Sequence, residues 1–575
     1  MNSNNYYLIQ GTNKSSKDYF HKLGYLVLML NVLAIAYGAF YIIKSHSSWL
    51  WNICGGVIIL STLVMNFILV HLRGKEVGGG SRLVKVIRIL GYIYLIIVIV
   101  AMFNMLIGNI TLSNSYSSNI EDNINLYYVI YFSYFIIFIM GGIIAYLNTL
   151  NITSDFSSNG KMNRIKIVGW LIKPLCYLSL FCGILIAYVI LSKSYTWNLE
   201  IFISQFALFF GSIFLSIAII LLNLKSNKKG VSYYIVAVIG IGIFVICFLP
   251  LALTPYTIMK AEKSFNELYG KEWRGKISKE AEEYFLNTQF NIPSYFLGIK
   301  SKNYTVKKDI LFYKGRDING KEVKLYFDVY KPNNLKQELP GKDHTIIRIH
   351  GGAWVAGDKG ELNVLQMNKY LAEQGYTVFD IQYGLSDNSN FTIELGEPDH
   401  VKGNFKVDDM INHIGTFTKY IDNHAMEYNI NLENVFISGS SAGGHLAAAA
   451  GLAINNEEYK NIFSPKIKVK GVILYYPANG LPSLGNIEGD SKLLNPELLV
   501  QKNSPPCLIY QGTRDGMVPQ DVAKKFSDKY YEQGNKNCTI LWMALGSHGS
   551  DCYFPGNYNQ VFLYYMERFM YINSI

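Results

Sequence analysis

Three residues in this chain, Ser441, Asp515 and His548, have the types and the order needed to split an acyl bond. Ser441 stands in Gly439-Ser440-Ser441-Ala442-Gly443, between the apolar run Val435–Ile437 and an Ala-rich helical pattern. A strand that turns sharply into a helix puts the central serine of G-x-S-x-G at the apex, with its hydroxyl exposed. The flanking glycines suit a turn where a β-carbon would clash. A serine hydroxyl is a weak nucleophile unless a base takes its proton. His548, just past the apolar run Thr539–Met543, is the candidate base. Asp515, just past Cys507–Tyr510, is the candidate for orienting it. Ser440 is the rival nucleophile, but it sits off the apex. Asp551 is the rival acid, but it lies close behind His548 rather than after the preceding strand.

Such residues need elements to hold them. From residue 303 onward the pattern predicts strands at about 304–313, 323–329, 345–349, 376–382, 435–438, 468–475, 506–511 and 538–543. Helices are expected at about 361–374, 406–426, 441–453, 519–533 and 557–571. This alternation predicts a mainly parallel eight-stranded sheet with helices on both faces. The first two strands, joined by a turn at Asp317–Gly320, read as an edge hairpin. The ligand crevice of such a sheet lies beyond the carboxyl ends of its strands. Ser441, Asp515, His548 and the loop His350-Gly351-Gly352-Ala353-Trp354 all fall at such ends.

HGGAW, GSSAGG, GTRDGMVP and GSHG, in that order, resemble the esterase/lipase branch of the α/β-hydrolases. That group is related to hormone-sensitive lipase and to feruloyl- and acetyl-esterases. The resemblance runs from about Tyr304 to the C-terminus. Ser440 replaces a frequent Asp, and Ala353 replaces the third glycine of an HGGG loop; neither change removes a catalytic atom. The resemblance implies Ser441 as nucleophile, His548 as base and Asp515 as its partner. It implies an oxyanion hole from the N–H groups of Gly352, Ala353 and Ala442, with His350 and Gly351 supporting the loop. It places Trp354 and Tyr383 on the acyl or alcohol side of the pocket. It implies a carboxylic ester substrate with a small acyl group such as acetyl, on a glycan, a lipid or a small molecule, and neither cofactor nor metal. Two alternatives remain: amide or peptide hydrolysis on the same fold, and a non-catalytic binding domain on a membrane receptor. No β-propeller pattern precedes the domain, which argues against the peptidase. The retained serine and histidine argue against the binding domain.

The N-terminal part has another character. Half of the 575 residues are apolar and only 16% are charged, and the apolar excess is concentrated in residues 1–255. Seven apolar runs occur there, at about Leu23–Ile43, Leu50–Leu72, Ile89–Ile110, Leu126–Leu147, Val168–Leu191, Ile201–Leu224 and Tyr233–Leu253. Each approaches the roughly 20 residues that cross a bilayer. None shows the polar face a soluble bundle needs. The first run is too long for a cleavable signal peptide and lacks a small-residue cleavage site. The expected organisation is a seven-helix transmembrane domain over 1–255, a lead-in over 256–302 and an α/β-hydrolase domain over 303–575. The lead-in, with helical character at Ile277–Asn287 and the apolar FNIPSYFLGI, is expected beside the membrane or over the active site.

The net charge of +10 would raise the question of nucleic acid in a soluble protein. Here the bases gather between apolar runs, so the expected partner is a lipid bilayer and no nucleic acid. Lys14, Lys17 and Lys22 precede the first run. Arg73, Lys75, Arg82, Lys85 and Arg88 fill the second loop, Lys161, Arg164 and Lys166 the fourth, and Lys225, Lys228 and Lys229 the sixth. The alternate loops hold Lys44, then Glu121 and Asp122, then Lys193. This bias places the N-terminus of a multi-pass cell-membrane protein in the cytoplasm and its hydrolase outside. Asn31, Asn66 and Asn104 are expected to hydrogen-bond between helices, and Lys173 beside Pro174 to snorkel.

The seven cysteines show no metal or redox spacing, and most read as small buried hydrophobes. Cys538 and Cys552 flank the His548 strand, so a bridge between them is possible. His445 is expected to pack, and His413 and His424 to be solvated. His400, with Glu397 and Asp399, is the one group of metal-ligand types. It reads first as part of a 384–405 loop that covers the pocket.

Overall fold

The computed structural model of the protein describes the backbone of all residues except 1–2, 45–47, 76–81, 117–122, 151–162, 194–196, 226, 229, 334–337, 361–363, 388 and 392–395. Seven long apolar helices come first: α1 Ser3–Ile43, α2 Trp49–Lys75, α3 Arg82–Ser113, α4 Ile124–Thr149, α5 Asn163–Leu191, α6 Ala207–Leu224 and α7 Val231–Ala252. All seven expected runs are helical, and among the described residues seven helices are long and apolar enough to cross a membrane. Val57, Ile96, Phe132, Leu178 and Val238 are more than half exposed on the outside of the bundle. A continuous apolar exterior of this kind is foreign to water-facing helices and suits hydrocarbon, where only closed backbone hydrogen bonding survives.

Inside the bundle α1 packs on α2 and α4, α3 on α4 and α6, and α5 and α7 on α6. Asn31 and Asn66 exchange reciprocal amide hydrogen bonds of 2.9 Å across α1 and α2. Gly141 of α4 admits the pair, because a β-carbon there would lie 2.3 Å from the Asn66 amide nitrogen. Asn104 departs from expectation: it makes no interhelical hydrogen bond among the described residues. Asn109, one turn further along α3, takes such a role and donates to Phe296 O at 3.0 Å. Of the loop charges used for orientation, the side chains of Lys14, Lys17, Arg82, Glu121, Asp122, Lys161, Arg164, Lys166 and Lys229 lie outside the described residues.

A short break at Leu253 separates α7 from α8, Thr254–Tyr269. Pro250 lies inside α7 and Pro255 opens α8, and a proline in the first turn needs no N–H partner there. The buried face of α8, Ala261 and Phe265, packs with Trp273 and Tyr565, and the helix lies along the last strand of the sheet. The helix expected over 277–287 shrinks to Lys279–Glu282. Ile292–Leu297 is a short helix wedged into the bundle, where Tyr295 stacks on Phe209 with ring centroids 5.1 Å apart. The lead-in therefore sits beside the bundle.

Eight strands of a main sheet follow, apart from a two-residue pair at Leu385–Ser386 and Lys402–Gly403: β1 Tyr304–Arg316, β2 Glu322–Pro332, β3 Thr345–Ile349, β4 Thr377–Ile381, β5 Val435–Ser440, β6 Val469–Tyr475, β7 Cys507–Gly512 and β8 Cys538–Met543. They form one sheet in the order β1-β2-β4-β3-β5-β6-β7-β8. The pairs β1–β2 and β2–β4 are antiparallel and the other five are parallel. Every residue of β3, β4 and β7 is buried, as strands covered on both faces must be. Helices Val407–Asn423 and Ala442–Ala453 cover one face, and Asn557–Ile572 with α8 covers the other. All seven cysteines are free, so Cys538 and Cys552 are not bridged. Cys538 begins β8 in register with Cys507, whereas Cys552 follows the far end of the same strand.

Candidate active site

The turn after β5 is built around backbone contact. Ser441 has φ 55° and ψ −119°, a strained conformation for a residue with a side chain. A β-carbon at Gly439 would lie 2.2 Å from Gly443 O, and one at Gly443 2.2 Å from both His350 O and Ile349 O. Only glycine lets the three segments approach this closely. The Ser441 N–H donates to Tyr475 O at 2.9 Å, and its carbonyl accepts from Ala478 N at 3.2 Å. Ser440 ends the strand; Ser441 stands at the apex, half-buried.

The loop after β3 lies against this apex. Gly352 has φ 112°, and a β-carbon there would lie 1.9 Å from Ala356 O. Ala353 and Trp354 follow with φ 49° and 64°. Gly352 O accepts from Val355 N and Ala356 N, which closes the loop on itself. Among the described residues the backbone N–H groups of Gly352, Ala353 and Ala442 donate to no protein acceptor. Backbone donors are rarely left unpaired; grouped beside a serine, they suit a developing negative charge. His350 and Gly351 support the loop: His350 Nδ1 donates to Gly351 O at 2.8 Å, and its ring stacks on Tyr383 at 4.5 Å.

His548 and Asp515 meet beyond the ends of β8 and β7. His548 Nδ1 lies 3.0 Å and 3.2 Å from the two Asp515 carboxylate oxygens. The carboxylate is itself fixed, because Oδ1 accepts from Met517 N at 3.0 Å and Val518 N at 2.7 Å, and Oδ2 from Gln511 Nε2 at 3.3 Å. Asp551, the rival acid, accepts instead from the Tyr476 hydroxyl at 2.7 Å. Burial opposes charge on His548, but Asp515, with Glu200 and Asp551 beyond it, outweighs burial and raises its pKa. The Tyr476 ring lies 4.3 Å from that of His548, while its neighbours Tyr475 and Ala478 hold the backbone of Ser441. The Ser441 hydroxyl has no hydrogen-bond partner among the described residues. Catalytic contacts are commonly loose before substrate binds.

Two side chains expected in the pocket are buried and bonded to neighbouring elements. Tyr383 has no exposure, and its hydroxyl donates to His350 O at 3.2 Å. Trp354 is 2% exposed and donates from Nε1 to His445 Nδ1 at 3.2 Å. Both brace the loop through ring contacts and buried acceptors. His445 hands on the contact, donating from Nε2 to Leu493 O, and burial takes its pKa down to about 4. His413 is buried rather than solvated, between Tyr313 and Phe405, and its pKa falls to about 4. His424 stacks half-buried on Tyr420. In the described part of the 384–405 loop, Phe391 stacks on Trp354, Glu397 pairs with Lys402, and His400 packs on Tyr326.

Glu200 and Ser204 are the residues that the sequence reading missed. They lie at the head of α6, yet Glu200 accepts from Gly516 N at 3.0 Å, and the Ser204 and Ser547 hydroxyls are 2.7 Å apart. An acid opening an otherwise apolar span was the available signal.

Residues 327–492 match the family model BD-FAE. Over 253 residues the chain is 24% identical to the "Probable isoprenylcysteine alpha-carbonyl methylesterase ICMEL1" of Arabidopsis thaliana, covering 39% of this chain and 48% of that protein. It is 23% identical over 249 residues to the "Probable carboxylic ester hydrolase LipM" of Mycobacterium tuberculosis, covering 39% and 53%. It thus spans about half the length of these curated relatives. Among solved structures, Thermogutta terrifontis esterase 2 phosphorylated by paraoxon is 23% identical, with 44% of this chain and 85% of that one covered and a TM-score of 0.33. The sheet order and the turn at Ser441 give the C-terminal domain an α/β-hydrolase fold, and its residues 327–492 are similar to the BD-FAE family.

Proposed function

We propose that this protein is a serine carboxylesterase built into a cell membrane, with its hydrolase domain on the extracytoplasmic side. The observation that carries the reading is the Asp515–His548 pair, 3.0 Å apart, together with a strained serine and three N–H groups that have no protein acceptor among the described residues. Ser441 Oγ attacks the ester carbonyl while His548 Nε2 takes its proton. Asp515 holds Nδ1 protonated and stabilises the imidazolium that forms. The N–H groups of Gly352, Ala353 and Ala442 hold the negative oxygen; one such donor is typically worth about 3 kcal/mol. His548 then protonates the leaving alcohol, and water, activated by the same imidazole, releases the acid from Ser441. Small acyl esters, acetyl first among them, are the proposed substrates.

The sidedness rests on the two ends of the bundle. Arg73 stacks on Phe20 and bonds Asn148, and Lys228 reaches Gly74 O, so these bases gather at one end. The hydrolase and its lead-in touch the other: Tyr41 donates to Gly298 O, Asn52 to Thr288 and Asn109 to Phe296 O. Bases favour the cytoplasm, which leaves the hydrolase outside. The test is hydrolysis of p-nitrophenyl acetate by the full chain in detergent. Ser440→Ala retains the activity and Ser441→Ala abolishes it; equal rates for Ser441→Ala and wild type would overturn the proposal.

A further inference from the structure

The head of the sixth helix touches both loops of the candidate triad. Within the turn Trp197–Phe202, Glu200 is 2% exposed. Its Oε2 accepts from the N–H of Gly516, the residue after Asp515. Its backbone carbonyl accepts from the hydroxyl of Ser547, the residue before His548, at 2.6 Å. Ser204 adds to the same joint, with Ser547 N donating to its hydroxyl at 3.4 Å. Ile201 packs on Gly549, where a β-carbon would lie 2.9 Å from its side chain. One short segment thus holds the residue after the acid and both neighbours of the histidine.

The second carboxylate oxygen of Glu200, Oε1, is buried without a hydrogen-bond partner among the described residues. A buried carboxylate left half-satisfied is costly, and in a native structure it calls for an explanation. The catalytic cycle supplies one. His548 becomes a cation each time it takes the serine proton, and a second negative charge beside it favours that state. We propose that Glu200 is a positioning residue for the triad, so that the apolar helical domain, and not the hydrolase alone, completes the active site. This inference rests on the assignment of Ser441, Asp515 and His548.

The groups that face His548 are Asp515 from the loop after β7, Asp551 from its own loop, Glu200 from the head of α6 and the Tyr476 ring after β6. Arg348 of β3 lies near Asp551 and offsets part of its charge. Asp515 and Asp551 belong to the hydrolase; Glu200 alone comes from the bundle. Burial pushes the Glu200 carboxyl itself up to about 7, so its charge adds to theirs in raising the imidazole pKa in full only above neutral pH.

The test compares the full chain with Glu200→Gln, which keeps an oxygen for the Gly516 N–H, removes the charge and puts an NH2 group in place of Oε1. With p-nitrophenyl acetate, Glu200→Gln moves the acid limb of kcat/KM to lower pH by about half a unit, because Glu200 is only partly ionised across that limb. It lowers plateau kcat about 3- to 10-fold with KM little changed, and Glu200→Asp recovers part of both losses. A limb in place and a kcat within twofold would overturn the proposal. A second readout is independent of turnover: the His548 ring resonance in protein carrying 13C-histidine, identified with His548→Gln. A lower imidazole pKa in Glu200→Gln supports the role of Glu200 even if the ester reading fails, and an unchanged one removes it even if Ser441 proves to be the nucleophile.

Discussion

Replacing Asp515 by asparagine separates the proposed triad from a mere buried ion pair. The carboxylate's Oδ1 is committed to Met517 N and Val518 N, so the amide of the Asp515→Asn variant keeps its oxygen there. Its NH2 group then takes the place of Oδ2, 3.0 Å from His548 Nδ1. A donor in that position makes Nδ1 accept and moves the ring proton to Nε2, the atom that must receive the Ser441 proton. The stabilising charge is lost as well. Opposite charges about 4 Å apart at an effective dielectric of about 20 interact by about 4 kcal/mol, which is about 10^3 in rate. With the wrong tautomer added, the loss in kcat approaches about 10^4. The assay is kcat for p-nitrophenyl acetate with the full chain in detergent, alongside Asp551→Asn, whose carboxylate serves Tyr476 and whose loss stays within about 10-fold. A fall of less than 10-fold for Asp515→Asn, or equal losses for the two variants, would refute the reasoning.

Other consequences follow from the same geometry. Because Asp515 and its neighbours raise the His548 pKa above its ordinary value, and the base must be neutral, kcat/KM rises with pH through a limb above about 6.5; a limb below that value contradicts the site. Gly443→Ala drives a β-carbon against His350 O and Ile349 O, parts the turn from the Gly352 loop and lowers kcat about 10^2- to 10^3-fold, whereas near-wild-type turnover would show that the two need not touch. Asn66→Ala breaks the reciprocal amide pair with Asn31 and destabilises the bundle by about 1 kcal/mol, read as a lower unfolding temperature in detergent with ester turnover retained at low temperature.

The hydrolase was legible because its signals are local. The buried strands are mostly apolar runs between breakers, with single charges such as Arg348 and Asp380 inside them, so Thr345–Ile349 and Cys538–Met543 could be bounded to the residue. The turn at Ser441 was legible because a strained serine between close backbones demands glycine on both sides. The apolar helices were legible from length alone. What escaped depends on contacts between distant segments. Tyr383 and Trp354 turn inward because His350 and His445 await them from other elements. His413 is buried by Tyr313 and Phe405, and its own helix gives no sign of either. Glu200 belongs to the bundle in sequence and to the active site in space, and no periodicity links residue 200 to residue 548.

The most direct test of the central claim is fluorophosphonate labelling of the full chain in its native membrane, with the adduct mapped by mass spectrometry. The account predicts one adduct, on Ser441, lost in His548→Ala and formed with a membrane-impermeant probe on intact cells. An adduct on Ser440, or none on Ser441 in the folded protein, would contradict it.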